Sequence, residues 1–531
     1  MPLLRPIDDQ ALDLMAKGEA HSRALDPDHR TRLGAHYTDP VLILKLIEPI
    51  IARPLLADWA RTRQAMREAS SFKVGLKHYE AFHTRLAKFR VLDPACGSGN
   101  FLCLALKVLQ DIEQRMLDDA AAMALPARPP RVGPHQIMGL EVDETAADFA
   151  RQTIRMADIT RRQAIGLPPP KQEPDYAALV ECRDALVGLD GEEAEWPDAD
   201  VVIGNPPFLG NKSMVRALGA EKVRILREAY RGKVPAAADL VCYWFEKARA
   251  MIESGRLLRA GLLATNSIRG GANREVLERI NATGRILQAW ADEPWVQNGA
   301  AVRVSLICFE GRRDDGGPAI LDGCPVPAIS THLAAGPDLT RARPLPRNGR
   351  IAFQGPVLVG PFDVPGDLAR SWLSEPGNAR VLKPLRNGLD LMGRCRDRWV
   401  IDFGRMDEDE AAGFAQPFAY VREHCQAYRR TNRDAWRCRH WWLHGRTGDG
   451  LRAALRGTER YLATSQVAKH RAFVWLPTSM HPHQTVIALA SGKDELFGLL
   501  HSRFHRLWAL RLGTSLEDRP RYTPTTCFET F

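Results

Sequence analysis

No stretch of these 531 residues is apolar for long enough to cross a bilayer, and Met1-Pro2-Leu3-Leu4-Arg5 lacks the apolar core and cleavage site of a secretion signal. The ten cysteines include no C-x-x-C pair, so they read as reduced thiols in a cytoplasmic protein rather than as a disulfide framework. Cys425, Cys438, His440 and His444 fall near one another without the tight paired spacing of a zinc site, and no metal is expected. Acidic residues run short in the last third. Between 380 and 531 there are 25 lysines and arginines against 16 aspartates and glutamates, the whole formal excess of +9, leaving 48 of each before it. Such asymmetry predicts a face there that binds a polyanion.

What the chain does contain is the run Val91-Leu92-Asp93-Pro94-Ala95-Cys96-Gly97-Ser98-Gly99-Asn100-Phe101. A short apolar strand reaches a carboxylate, turns through two glycines and starts a helix, which is the geometry of a nucleotide-type cofactor site. From Arg90 onward, strands and helices alternate, predicting an α/β unit with a parallel sheet. A second strand, Gln136 to Leu140, runs into Glu141, placed to accept hydrogen bonds from ribose hydroxyls. A third ends near Asp184. A fourth, Asp200 to Ile203, runs into Gly204-Asn205-Pro206-Pro207-Phe208. Two prolines hold the backbone extended, so that the Asn205 side chain, the Pro206 carbonyl and the Phe208 ring can together receive a planar group bearing an NH₂. The segment from Asn211 to Lys233 reads as basic and mobile. The helix expected from about Val41 to Ala60 follows the loop Gly34-Ala35-His36-Tyr37-Thr38-Asp39-Pro40.

In combination, D-P-A-C-G-S-G-N-F, G-L-E-V-D and N-P-P-F resemble the class I S-adenosylmethionine-dependent DNA methyltransferases that modify an exocyclic amino group, over roughly residues 31 to 310. N-P-P-F resembles the adenine-N6 version, and the motif order resembles the arrangement called gamma. The resemblance implies S-adenosylmethionine as cofactor. Tyr37, Thr38, Asp93, Ala95, Gly97, Gly99, Asn100 and Phe101 would line its methionine end, Glu141 its ribose and Asp184 its adenine amino group. Asn205 and Pro206 would accept from the target N6 amino group, with Pro207 in the same motif and Phe208 stacking on the flipped base. No covalent nucleophile is required, which leaves Cys96 as a packing residue.

The last third, including Ser502 to Trp508 and Asp518 to Phe531, resembles the region after the catalytic domain in type IIL restriction-modification enzymes and in DISARM phage-defence methyltransferases. Type IIL chains begin with a nuclease bearing Glu-x-Lys, a tripeptide that occurs nowhere here, so no nuclease is expected in this chain. The end at Phe531 inside a motif leads us to expect further C-terminal sequence. Tyr428 to Trp442 interleaves arginine with aromatics, the composition of a surface that holds phosphates and stacks on bases. Arg429, Arg430, Arg433, Trp436, Arg437, Arg439 and Trp441 are its candidate contacts.

The expected architecture is α/β. It comprises a helical N-terminal segment with the first motif (1–89), a Rossmann-like class I catalytic domain (90–311), a linker (312–378) and a C-terminal α+β target-recognition region (379–531). The expected function is adenine-N6 methylation of double-stranded DNA in a restriction or phage-defence system, with other defence subunits as possible partners and no membrane. An RNA or protein-glutamine methyltransferase and a DNA-binding scaffold are the alternatives.

Overall fold

The computed structural model describes residues 38–531 apart from 171, 298–299, 313–316, 337–338, 340–341, 433 and 517–518. The chain divides into two compact units that meet in sequence at Asp338 and Leu339.

In the first unit, helix α1 (Pro40–Ile47) passes through a π turn at Glu48–Ala52 into α2 (Arg53–Arg67), followed by α3 (Phe72–Lys88). The continuous helix expected over 41–60 is thus interrupted. Pro49 and Pro54 each lack an amide hydrogen and crowd the turn before them, and the wider π turn absorbs the misfit.

Strand β1 (Val91–Asp93) and helix α4 (Asn100–Ala122) come next, then β2 (Ile137–Glu141), α5 (Glu144–Ala164), β3 (Val180–Cys182) and β4 (Val201–Gly204). The segment from Asn211 that reads as mobile is instead two helices, α6 (Asn211–Leu218) and α7 (Ala220–Ala229). Met214, Val223 and Leu226 bury their apolar sides, so the charges that dominate its composition lie mainly on the outer faces. Helix α8 (Val241–Glu253), β5 (Arg259–Thr265) and α9 (Arg274–Thr283) lead to the long hairpin β6 (Gly284–Gln297) and β7 (Ala300–Gly311), and then to β8 (Ala319–Leu321) and β9 (Cys324–Val326).

These strands form one sheet in the order β3-β2-β1-β4-β5-β7-β6-β8-β9. The first five are parallel, and β7 enters antiparallel between β5 and β6. Alternate residues face opposite cores. Val91, Val201 and Ile203 pack with Ile43, Ile47 and Leu109, while Leu92 and Val202 pack with Tyr243 and Phe245. Burial on both faces explains why the strands read as apolar runs. The strand order reverses between β2 and β4, on either side of β1, so the crevice beyond the Asp93 end of β1 is where an open α/β sheet takes its ligand.

The second unit contains two four-stranded sheets. One is ordered β10 (Ala352–Gln354), β17 (Val486–Leu489), β14 (Arg460–Ser465), β15 (Val474–Pro477), and the other β11 (Asp363–Pro365), β13 (Arg398–Ile401), β12 (Leu382–Arg386), β16 (His481–Pro482). Their mostly antiparallel pairings, with helices packed on them, make it α+β. The stretch 312–378, expected as a linker, is divided between folded parts. It holds β8 and β9 of the first unit, then β10 (Ala352–Gln354), β11 (Asp363–Pro365) and helix α10 (Gly366–Trp372) of the second. Three-residue strands broken by glycine and proline are too short to show a periodicity.

Among the described residues, no helix is long and apolar enough to cross a membrane.

Candidate active site

Asp93 closes β1 fully buried. Its Oδ1 accepts the Ala95 amide at 3.0 Å, while Oδ2 has no partner. Burial pushes its carboxyl up to about 8, opposed by the Ala95 hydrogen bond and assisted by the nearby Glu141 charge. A buried acid with one bare oxygen calls for an explanation, and a ligand at the end of β1 would supply one.

The backbone then turns through Gly97 and Gly99, and the two glycines do different work. A Cβ on Gly97 would meet nothing within 4 Å, and the residue lines the pocket, leaving its main chain open to a ligand. Gly99 has φ +86°, and a Cβ there would come within 3.2 Å of Ala150. It lets α4 pack closely on α5. Asn100 and Phe101, expected beside the cofactor, open α4 buried. Phe101 belongs to the core, whereas Asn100 Oδ1 has no partner. Cys96 is also buried, and burial drives its thiol pKa up, which suits packing and not nucleophilic attack.

Glu141 ends β2 on the next strand. Its Oε2 accepts the Gly97 amide at 2.9 Å, and its Oε1 accepts those of Val142 and Asp143 at 2.8 and 3.0 Å. One carboxylate therefore ties the glycine turn to the end of β2. Asp184 lies beyond β3. Its Oδ1 accepts the Leu186 amide at 2.8 Å, and its Oδ2 pairs with Lys222 at 2.7 Å. Ala95, Gly97, Glu141, Asp184, Asn205 and Pro207 share one pocket with apolar walls that include Leu140, Leu186, Leu226 and Trp244.

On the other side of β1, Gly204 ends β4, where a Cβ would come within 2.6 Å of Asp93 Oδ1. Glycine is required for that approach. Asn205 follows, its Nδ2 donating to Thr38 Oγ1 at 3.1 Å and its Oδ1 buried without a partner. Pro206 is buried. Pro207 and Phe208 are half-buried, and Phe208 packs against the cores on both faces of the sheet. Thr38 is 3% exposed. Tyr37 lies outside the described residues.

Sequence reasoning missed Trp244 and Lys222. Trp244 Nε1 donates to the Pro94 carbonyl at 3.1 Å, pinning the turn after Asp93 from α8. The only available signals were an aromatic run and a basic segment, neither of which names a contact.

The aromatic and basic run of the second unit separates into two groups. Arg429 was expected at a nucleic-acid surface, but it is fully buried. Its guanidinium donates to the carbonyls of Val359 (2.8 Å), Leu358 (2.8 Å) and Leu443 (2.9 Å) and lies over Phe362. A weaker contact from Nη1 to the Arg437 carbonyl at 3.4 Å brings the acceptors to four backbone carbonyls, and a buried cation so widely hydrogen-bonded is a structural post rather than a phosphate contact. Trp441, also expected at that surface, is 6% exposed and packs on Phe418 in the core. Arg437 pairs with Asp434 at 3.2 Å. Arg430 and Arg439 are exposed, and Trp436 is 38% exposed and stacked on His440. Arg433 lies outside the described residues.

Asp402, His444 and His481 form a buried cluster with ligand atoms within 4.8 Å of one another. Arg452 closes on the two Asp402 oxygens at 2.7 and 2.6 Å, so a side chain already balances the carboxylate.

A strand order of 3-2-1-4-5-7-6 with an antiparallel seventh strand, and acids closing its first two strands, define the class I methyltransferase fold. Residues 66–317 match the family model described as the DNA-methyltransferase domain of MmeI. Among curated proteins, DNA methyltransferase A of Bacillus subtilis (strain 168) is 26% identical over 307 residues, which is 53% of this chain and 32% of that one. A putative type II restriction enzyme and methyltransferase of Methanocaldococcus jannaschii is 27% identical over 174 residues, 29% of this chain and 15% of that protein. The chain thus spans a third or less of the length of these relatives. Among solved structures, the type IIL restriction-modification enzyme MmeI in complex with DNA superposes with a TM-score of 0.75 at 20% identity, covering 98% of this chain and 70% of that one. The two share a fold along nearly the whole of this chain.

Proposed function

We propose that this chain transfers a methyl group from S-adenosylmethionine to the N6 amino group of an adenine flipped out of double-stranded DNA, as the modification component of a restriction or phage-defence system. The observation that carries the reading is the buried, unpartnered Oδ1 of Asn205, a residue that lines the same crevice as Glu141 and Asp184.

The residues present suit the cofactor. Asp93 Oδ2 lacks a partner and would balance the ammonium of the methionine end. Glu141 would take the ribose hydroxyls and Asp184 the adenine amino group, with Leu140, Leu186 and Trp244 as apolar walls. When bound, S-adenosylmethionine supplies an electrophilic methyl group.

The protein's share is to prepare the nitrogen. An exocyclic amino group is a poor nucleophile while its lone pair is shared with the purine ring. Asn205 Oδ1 and the Pro206 carbonyl accept its two hydrogens and favour the pyramidal form, in which the lone pair is localised. The Phe208 ring supplies a stacking face that offsets the few kcal/mol, roughly, of extruding the base.

Tritiated-methyl transfer into unmethylated duplex DNA, followed by nucleoside analysis, tests this. N6-methyladenine is expected, with Asn205→Ala lowering the rate by about 10² or more, as when an oxyanion-hole donor is removed. Label in RNA, in protein glutamine or in cytosine would refute it. Cofactor binding without transfer until partner subunits are added would favour the scaffold reading.

A further inference from the structure

Asn205 has to present one particular end of its side chain. An amide carries an acceptor oxygen and a two-donor nitrogen of nearly the same shape, and only the oxygen can receive a hydrogen from an amino group. With the amide turned over, donor would face donor and the site would repel the group it is built to receive.

The contact that decides this lies far away in sequence. Asn205 Nδ2 donates to Thr38 Oγ1 at 3.1 Å across 167 residues, and Oδ1 is thereby left bare. Thr38 is itself firmly held. It precedes α1, whose cap Asp39 accepts the Val41 amide at 2.7 Å, with buried Pro40 at the first helical position. Ile43, Leu46 and Ile47 anchor that helix in the same core as Val91 and Ile203 of the strands bearing Asp93 and Asn205. The hydroxyl is thus fixed to the core that fixes Asn205, which is what a support for a reacting group requires.

We propose that Thr38 is a positioning residue for Asn205, accepting the Asn205 amide hydrogen so that Oδ1 faces the target amine. This role is separate from the cofactor contact that the motif resemblance implies for Thr38. It rests on the proposed methyl transfer. Loss of the hydroxyl leaves a buried NH₂ unpaired and the amide free to turn, and small misplacements of a positioning group cost about 10²-fold in rate.

The test compares wild type, Thr38→Val, Thr38→Ser, Asn205→Ala and the double variant Thr38→Val/Asn205→Ala in single-turnover methylation of duplex DNA, with cofactor affinity measured by calorimetry. Thr38→Val is expected to lower the rate by about 10- to 100-fold even at saturating cofactor and DNA. Thr38→Ser, which keeps the acceptor, should restore it to within a few-fold. The double variant should be no slower than Asn205→Ala, since Thr38 acts only through that amide. The positioning role is overturned if saturating cofactor rescues Thr38→Val, if Thr38→Ser is as slow as Thr38→Val, or if the two losses multiply in the double variant. A wild type that binds the cofactor but methylates no DNA overturns the functional reading, and this proposal with it.

Discussion

At the scale of single residues, Asp93 stands out because the fold makes it costly. An exposed aspartate ionises near 3.9, whereas burial moves Asp93 to about 8. Between those values the folded chain holds a proton that the unfolded chain has lost, so its stability falls as pH rises across that window and the full cost is present above it. A cation beside the bare Oδ2 would reverse the preference and expel the proton. Two outcomes follow for Asp93→Asn, which keeps the shape and cannot ionise. Without cofactor it should melt a few degrees above wild type at pH 8 and level with it near pH 4, as differential scanning calorimetry would show. With cofactor at pH 7, wild type should release a proton on binding, seen as an enthalpy that depends on the buffer's ionisation heat, and the variant should release none. A variant less stable than wild type at pH 8 would mean that Asp93 is not the strained group its surroundings make it. A site residue that reduces stability is expected where function sets the choice.

At the scale of elements, the site is where strand ends and turns pack against one another, and Gly99 shows how little space remains. Its φ of +86° disfavours any side chain, and a Cβ would stand 3.2 Å from Ala150. Gly99→Ala should therefore cost about 1–3 kcal/mol, measurable as a lower denaturation midpoint with unchanged slope. The sequence disclosed these elements unevenly. The central parallel strands were legible because burial on both faces makes them mainly apolar, Asp93 and Glu141 because each closes one, and Asn205 because it directly follows β4. The roles of the two glycines were not, since Ala150 lies on a different helix. The 14-residue β6 was hidden as well, because its register shifts between Ile286 and Gln288 and between Trp290 and Glu293 break the alternation of a strand. Nor could the segment after Asn211 be recognised as α6 and α7 from its charge. The Thr38 contact with Asn205 spans 167 residues and follows only from the fold.

At the scale of the whole molecule, the basic excess of the last third sets the expectation for DNA, but composition does not say which arginines are free to act. Arg429 spends its donors on backbone carbonyls inside the second unit, while Arg430 and Arg439 carry their charge in solvent, and Trp436 is exposed as well. Arginines from one short run should therefore behave oppositely. Arg429→Ala leaves buried carbonyls unpaired and a void over Phe362, costing several kcal/mol, and should unfold the second unit or lower its melting temperature sharply. Arg430→Ala/Arg439→Ala should leave melting unchanged within about 0.5 kcal/mol. Where each neutralises a phosphate, log affinity plotted against log salt should lose close to 1 in slope per arginine removed. Trp436→Ala should weaken binding with no change of slope, because stacking releases no counterion. Fluorescence anisotropy on a duplex between 50 and 200 mM salt gives both quantities. An unchanged slope in the double variant would exclude phosphate contacts from Arg430 and Arg439 and turn the test to the other exposed arginines of the second unit, such as Arg503, Arg506 and Arg511.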